Sequence, residues 1–158
     1  MRRKEREVVQ IDELLAIIDT CKVCRLGLAE EHQAYVVPLN FGYTYDNNAL
    51  TLYFHGAHVG KKIEAIKKNN KACFELDCDH QLIARESACN YSFAYASIIG
   101  FGTITFITTE EEKVNALNSI MKHQIGKEIH HEYKTEQLKA VAVYKINVSE
   151  FTGKRITA

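Results

Sequence analysis

The stretch richest in chemistry is Tyr53-Phe-His-Gly-Ala-His-Val-Gly-Lys-Lys-Ile-Glu-Ala-Ile-Lys-Lys-Asn-Asn-Lys71. It carries five lysines from Lys61 to Lys71 against a single Glu64. Its pattern predicts a helix over residues 60–69, which puts Lys61 and Lys62 in the first turn. A helix N-terminus already carries roughly half a positive charge, so lysine there costs a few tenths of a kcal/mol. An anion docked on the turn removes that cost. Free backbone amides, the glycine Gly60 and two ammonium groups make a phosphate seat. A solvated basic face is the other reading of the same run, and both stand at this point.

His55 ends the segment that precedes this seat. By strand alternation it shares a face with Tyr53 and Thr51. An imidazole there serves either as a surface residue or as a proton donor beside a bound anion. His58 reads as surface. His123, His130 and His131 fit no metal-binding spacing, and no metal site is expected. Cys21-Lys-Val-Cys24 is formally a C-x-x-C. It follows a helix and enters a strand, the reverse of a redox motif, and Cys73 and Cys78 are too widely spaced to complete a zinc site. The cysteines are therefore read as structural.

These residues need elements to hold them. Ile11, Leu14, Leu15 and Ile18 have helical spacing over residues 11–19. Strands then dominate: residues 22–28, 34–43, 49–55, 71–77, 91–108 and 139–149. Leu50, Leu52 and Phe54 alternate with Thr51, Tyr53 and His55, and the turn Asp46-Asn47-Asn48 makes a hairpin. Gly100 and Gly102 predict a bulge in the long strand. Thr109-Glu-Glu-Glu112 is a capping box. The helix behind it shows Val114, Leu117, Ile120 and Met121 on one face. Strands outnumber crossover helices, so the expected class is mainly β, an antiparallel barrel with peripheral helices.

The 158 residues predict one domain, 1–158, with a net charge of zero. No global field attracts nucleic acid, and no basic-aromatic interleave is present. The opening Met1-Arg-Arg-Lys-Glu-Arg-Glu lacks the apolar run of a signal peptide, and no apolar stretch is long enough for a membrane helix. Five cysteines, an odd number, argue for a reducing cytoplasm.

Six motifs in order resemble the 5-nitroimidazole-resistance (Nim) branch of the pyridoxamine 5′-phosphate oxidase-like, FMN-binding split-barrel proteins. They are the opening run, Tyr35-Val-Val-Pro-Leu-Asn-Phe-Gly-Tyr43, Leu52-Tyr-Phe-His-Gly-Ala57 with Gly60-Lys-Lys62, Tyr95-Ala-Ser-Ile-Ile-Gly-Phe-Gly102, Glu111-Glu-Lys113 with Ala116-Leu117, and Thr152-Gly-Lys154. The resemblance implies a split antiparallel β-barrel that binds FMN between the subunits of a homodimer. It implies that Val37, Pro38, Leu39 and Asn40 lie against the flavin ring, that Lys61 and Lys62 hold the phosphate beside Gly60, and that Tyr95, Ser97 and Ile98 line the cofactor. His55 is the expected catalytic residue. The implied activity is an oxidoreductase acting on a nitroaromatic or other small acceptor. The alternative is a flavin- or ligand-binding store or sensor without turnover. Ala34 stands where the family commonly has proline, Ile98 where it has valine, and His32 and Gln33 where it has a turn glycine.

Overall fold

The computed structural model describes residues 3–30, 33–127 and 131–157. His32 and His130, and the first two residues of the opening run, lie outside them. The elements in chain order are β1 (Glu7–Val8), α1 (Ile11–Thr20), β2 (Cys24–Ala29), β3 (Ala34–Leu39), β4 (Gly42–Asp46), β5 (Ala49–Gly56), α2 (Lys61–Lys68), β6 (Lys71–Ile83), β7 (Ser92–Ile107), α3 (Glu110–Ile125), α4 (Thr135–Ala140) and β8 (Ala142–Ile156).

The strands form one antiparallel sheet in the order β3-β2-β6-β7-β8-β5-β4, with β1 added on β8. β3 and β4 stand at opposite ends of that path, yet only Asn40 and Phe41 separate them in sequence. Three Cα steps of about 3.8 Å bring the two ends together, so the sheet must curl into a barrel. This makes it the split barrel with peripheral helices expected from the sequence.

The expected single strand over 34–43 is broken at Asn40-Phe41 for a physical reason. Phe41 turns fully into the core, its ring 4.4 Å from that of His123. The Asn40 amide donates to the Lys22 carbonyl and to Gln124 Oε1, both at 3.1 Å. Gly42 then lets α3 cross β4 at contact distance; a Cβ there would fall 2.4 Å from the Ile120 nitrogen.

Alternation builds the core. Leu50, Leu52 and Phe54 of β5, Leu26 and Leu28 of β2, and Phe74 and Leu76 of β6 all face inward. Tyr144 stacks on Phe54 inside the barrel. Asn47 and Asn48, both at positive φ, make the tight β4–β5 turn. The bulge expected near Gly100 and Gly102 lies between Phe101 and Gly102 in the β7–β8 pairing. A second register shift, between Cys78 and Gln81, carries β6 on to Ile83. Residues 79–82 looked like a polar loop because both faces of this extension are exposed.

Two further expectations change. The last strand begins at Ala142, not Lys139, because residues 135–140 form α4. Lys113 Nζ donates to the Leu138 carbonyl at that helix's end, a contact invisible in local sequence. On α3, Ile120 is buried as expected, but Ala116 and His123 share its place while Val114, Leu117 and Met121 are half-buried. The Thr109 cap is present: its Oγ1 accepts from the Glu112 amide and donates to the Glu112 carboxylate.

Candidate functional site

The site is built around the first turn of α2. Gly60 caps the helix at φ 124°, a conformation open to glycine, and offers no side chain to the turn. The Ile63 and Glu64 amides donate to the Gly60 carbonyl, so the Lys61 and Lys62 amides stand at the open end.

The two lysines diverge. Lys61 Nζ sits 4.7 Å over the Tyr35 ring and 3.2 Å from Glu30 Oε2. It therefore reaches β3 and the end of β2. Lys62 folds over the end of β5; a Cβ on Gly56 would lie 3.1 Å from its Nζ. One helical turn thus joins β3, at one end of the strand order, to β5, next to the other end. Glu30 and Tyr35 are members of this site that motif reading missed, because their link to Lys61 is made only by the fold. Hydrogen bonding from Gln33, followed by Lys61, holds the Glu30 carboxyl below its usual range.

His55 is the penultimate residue of β5, directly before Gly56. Its side chain is exposed, and desolvation by its neighbours, then the charge of Lys62, shift its pKa downward from the ordinary 6.5. The shift favours the neutral imidazole beside the α2 turn.

The other expected residues divide. Val37 and Leu39 turn toward the core, while Pro38 is exposed on β3, the edge where a missing amide costs no ladder bond. Asn40 lies at the opposite end of β3 from Tyr35, its two amide hydrogens committed to Lys22 and Gln124. Tyr95 and Ser97 are half-buried on β7, with β2 and β6 between them and β3. Ile98 is fully buried under α1, close to Gly153, and has only its backbone to offer a ligand. Within one chain, Tyr95 and Ser97 are not gathered with Lys61.

Outside the barrel, cross-strand rungs place Val36, Gly27, Cys73 and Phe101 in one row and Pro38, Arg25, Glu75 and Ile99 in the next. Val36, Ile99 and Phe101 are 59%, 46% and 48% exposed. A cavity of about 850 Å³ lies elsewhere, among α1, β4 and α3. Among the described residues no three His, Cys, Asp or Glu side chains cluster to hold a metal. Among the described residues no helix is long and apolar enough to cross a membrane.

The profile described as pyridoxamine 5′-phosphate oxidase matches residues 10–155. Among solved structures, a candidate 5-nitroimidazole antibiotic resistance protein of Bacteroides thetaiotaomicron is 33% identical, with a TM-score of 0.81 over 94% of this chain and 86% of that one. The FAD and heme binding protein of Mycobacterium smegmatis is 18% identical, with a TM-score of 0.84 over 97% and 74% of the two chains. An FAD-binding protein of Mesorhizobium loti is 20% identical, with a TM-score of 0.68 over 96% and 98%. No curated protein matches the sequence.

Proposed function

The chain belongs to the pyridoxamine 5′-phosphate oxidase family, and from that premise we propose that it is an FMN-binding oxidoreductase reducing a nitroaromatic, 5-nitroimidazole-like or other small acceptor. One observation carries the reading: the α2 turn with two lysines at its positive end, no side-chain cap and two open amides. The chemistry of this turn fits a phosphate monoester. The exposed Lys61–Glu30 pair is easily exchanged for a stronger anion.

In this reading Lys61 and Lys62 hold the FMN phosphate, and Gly60 lets it approach the backbone. The backbone of residues 37–39 and the remaining carbonyl of Asn40 border the ring. When bound, FMN supplies the acceptance and release of electrons; the protein supplies position. His55 holds or gives a proton next to Lys62. The names of two relatives carry FAD, which supports a flavin; the choice of FMN rests on the resemblance and on the monoester seat.

Tyr95, Ser97 and the Ile98 backbone reach a ring held at β3 only from a second copy. We therefore also propose a homodimer with the cofactor between subunits. The exposed Val36, Ile99 and Phe101 on the outer face are the surface such a partner would cover. All five cysteines are free, which suits the cytoplasm. The elution volume in gel filtration tests the dimer; a monomer would remove the intersubunit site.

A flavin-binding module without turnover is the second reading. The downward shift of the His55 pKa favours it, since a neutral imidazole is a weaker acid than imidazolium. The purified protein should be yellow or take up added FMN. Bleaching by reduced nicotinamide and recovery on adding a nitroimidazole would establish the enzyme. Flavin that binds but stays oxidised would establish the module. If protonated His55 limits reduction, the rate falls as pH rises through a value below 6.5.

A further inference from the structure

The lysine pair of the α2 turn already meets an anion, and that anion belongs to the chain itself. Glu30 Oε2 stands 3.2 Å from Lys61 Nζ. The same oxygen accepts from Gln33 Nε2 at 3.1 Å. The Glu30 amide donates to the Gln33 carbonyl, also at 3.1 Å. Gln33 thus ties both the backbone and the side chain of Glu30, so Lys61 does not place the carboxylate alone. Gln33 stands where the resemblance expects a turn glycine, and a glycine has no side chain to donate. The Lys61 side chain is 50% exposed and the Glu30 side chain 24%, so the lysine is the partner freer to turn away. Lys62 is placed differently. It lies over the end of β5, and among the described residues no carboxylate forms an ion pair with it.

We propose that Glu30 is an internal competitor for the seat of the flavin phosphate, which makes FMN an exchangeable ligand of this chain and not a permanently held group. The inference rests on the phosphate reading of the α2 turn. To bind a monoester, Lys61 leaves one anion for another. Its contribution is then the difference between two charge pairs and not the whole of one. The phosphate prevails because it carries about −1.5 to −2 charge at pH 7 against the single charge of a carboxylate. As FMN departs, Glu30 takes the lysine back, which assists release. Lys62 has no such rival and contributes its charge in full. The competition concerns the phosphate alone, so riboflavin, which lacks one, does not meet it.

Glu30→Gln tests this, because it keeps the size of the side chain and removes its charge. Fluorescence titration should show FMN bound about twofold to fivefold tighter, the range an exposed ion pair supplies. Stopped-flow release should slow by a similar factor, and riboflavin affinity should not change. Gln33→Ala, which unties the carboxylate, should move FMN affinity in the same direction by less. In a Lys61→Ala background Glu30→Gln should have no effect, because the competitor has lost what it competes for. FMN affinity that is unchanged or weaker in Glu30→Gln, while Lys62→Ala still weakens it, would overturn the competitor and leave the phosphate seat standing. A gain that persists without Lys61, or that extends to riboflavin, would also overturn it. FMN affinity indifferent to both Lys61 and Lys62 would remove the seat itself.

Discussion

Helices α2 and α3 begin in opposite ways, and the difference separates a site from a scaffold. α3 starts with Thr109, whose hydroxyl accepts from the Glu112 amide, and carries Glu110, Glu111 and Glu112 in its first turn. Every charge there matches the positive end of the helix. α2 starts with Gly60, has no side-chain cap and opposes its own dipole with Lys61 and Lys62. Two other lysines stand in the favourable sense. Lys22 Nζ donates to the Asp19 and His123 carbonyls, at the C-terminal turns of α1 and α3. Lys113 does the same for α4. Lys22 and Lys113 at negative helix ends are structural; in the proposed function, Lys61 and Lys62 at a positive end wait for an anion.

The strongest test removes both waiting charges. Lys61→Ala with Lys62→Ala should weaken FMN binding about a hundredfold or more, since each charge-assisted hydrogen bond contributes about 1.5–3 kcal/mol and 1.4 kcal/mol is tenfold. Fluorescence titration of FMN measures it, and an unchanged affinity would refute the phosphate seat. The α3 counterpart, Thr109→Ala, should cost about 1 kcal/mol in denaturant unfolding and leave FMN affinity alone. If it moved affinity instead, the division between site and scaffold would fail.

The smallest effect has the opposite sign. Without flavin, Lys62→Ala should raise stability by a few tenths of a kcal/mol, because it relieves the helix end. The same change removes a cation from beside His55, so the His55 titration, followed by NMR, should move up toward 6.5. The stability linked to that neutral imidazole is present above pH 6.5 and is lost as pH falls through its lowered folded value. Lys62→Ala should therefore also soften the acid sensitivity. A destabilised variant with an unmoved His55 would show that Lys62 is a packing residue.

Part of this was legible in the sequence, and the boundary has a physical origin. The alternation of Leu50, Leu52 and Phe54 reports one face of one strand, so the β5 core could be read directly. Lys61 and Lys62 stand out because their conflict with the helix dipole is local. Glu30 and Tyr35 could not be read, because they meet Lys61 only when the sheet curls. α4 escaped because six residues carry little periodicity, and its end is held by Lys113 from another helix. Ile98 lies within its motif in sequence, but the pleat turns its side chain to the core.

The position of β8 has a consequence for how the molecule is made. It is the last strand of the fold to leave the ribosome, yet it lies between β7 and β5 and also pairs with β1. Until it arrives, the β4–β5 hairpin has no strand joining it to the rest of the sheet, and the inner edges of β5 and β7 are bare. The nascent chain thus completes its barrel only once β8 has emerged, with two sticky edges exposed while it waits.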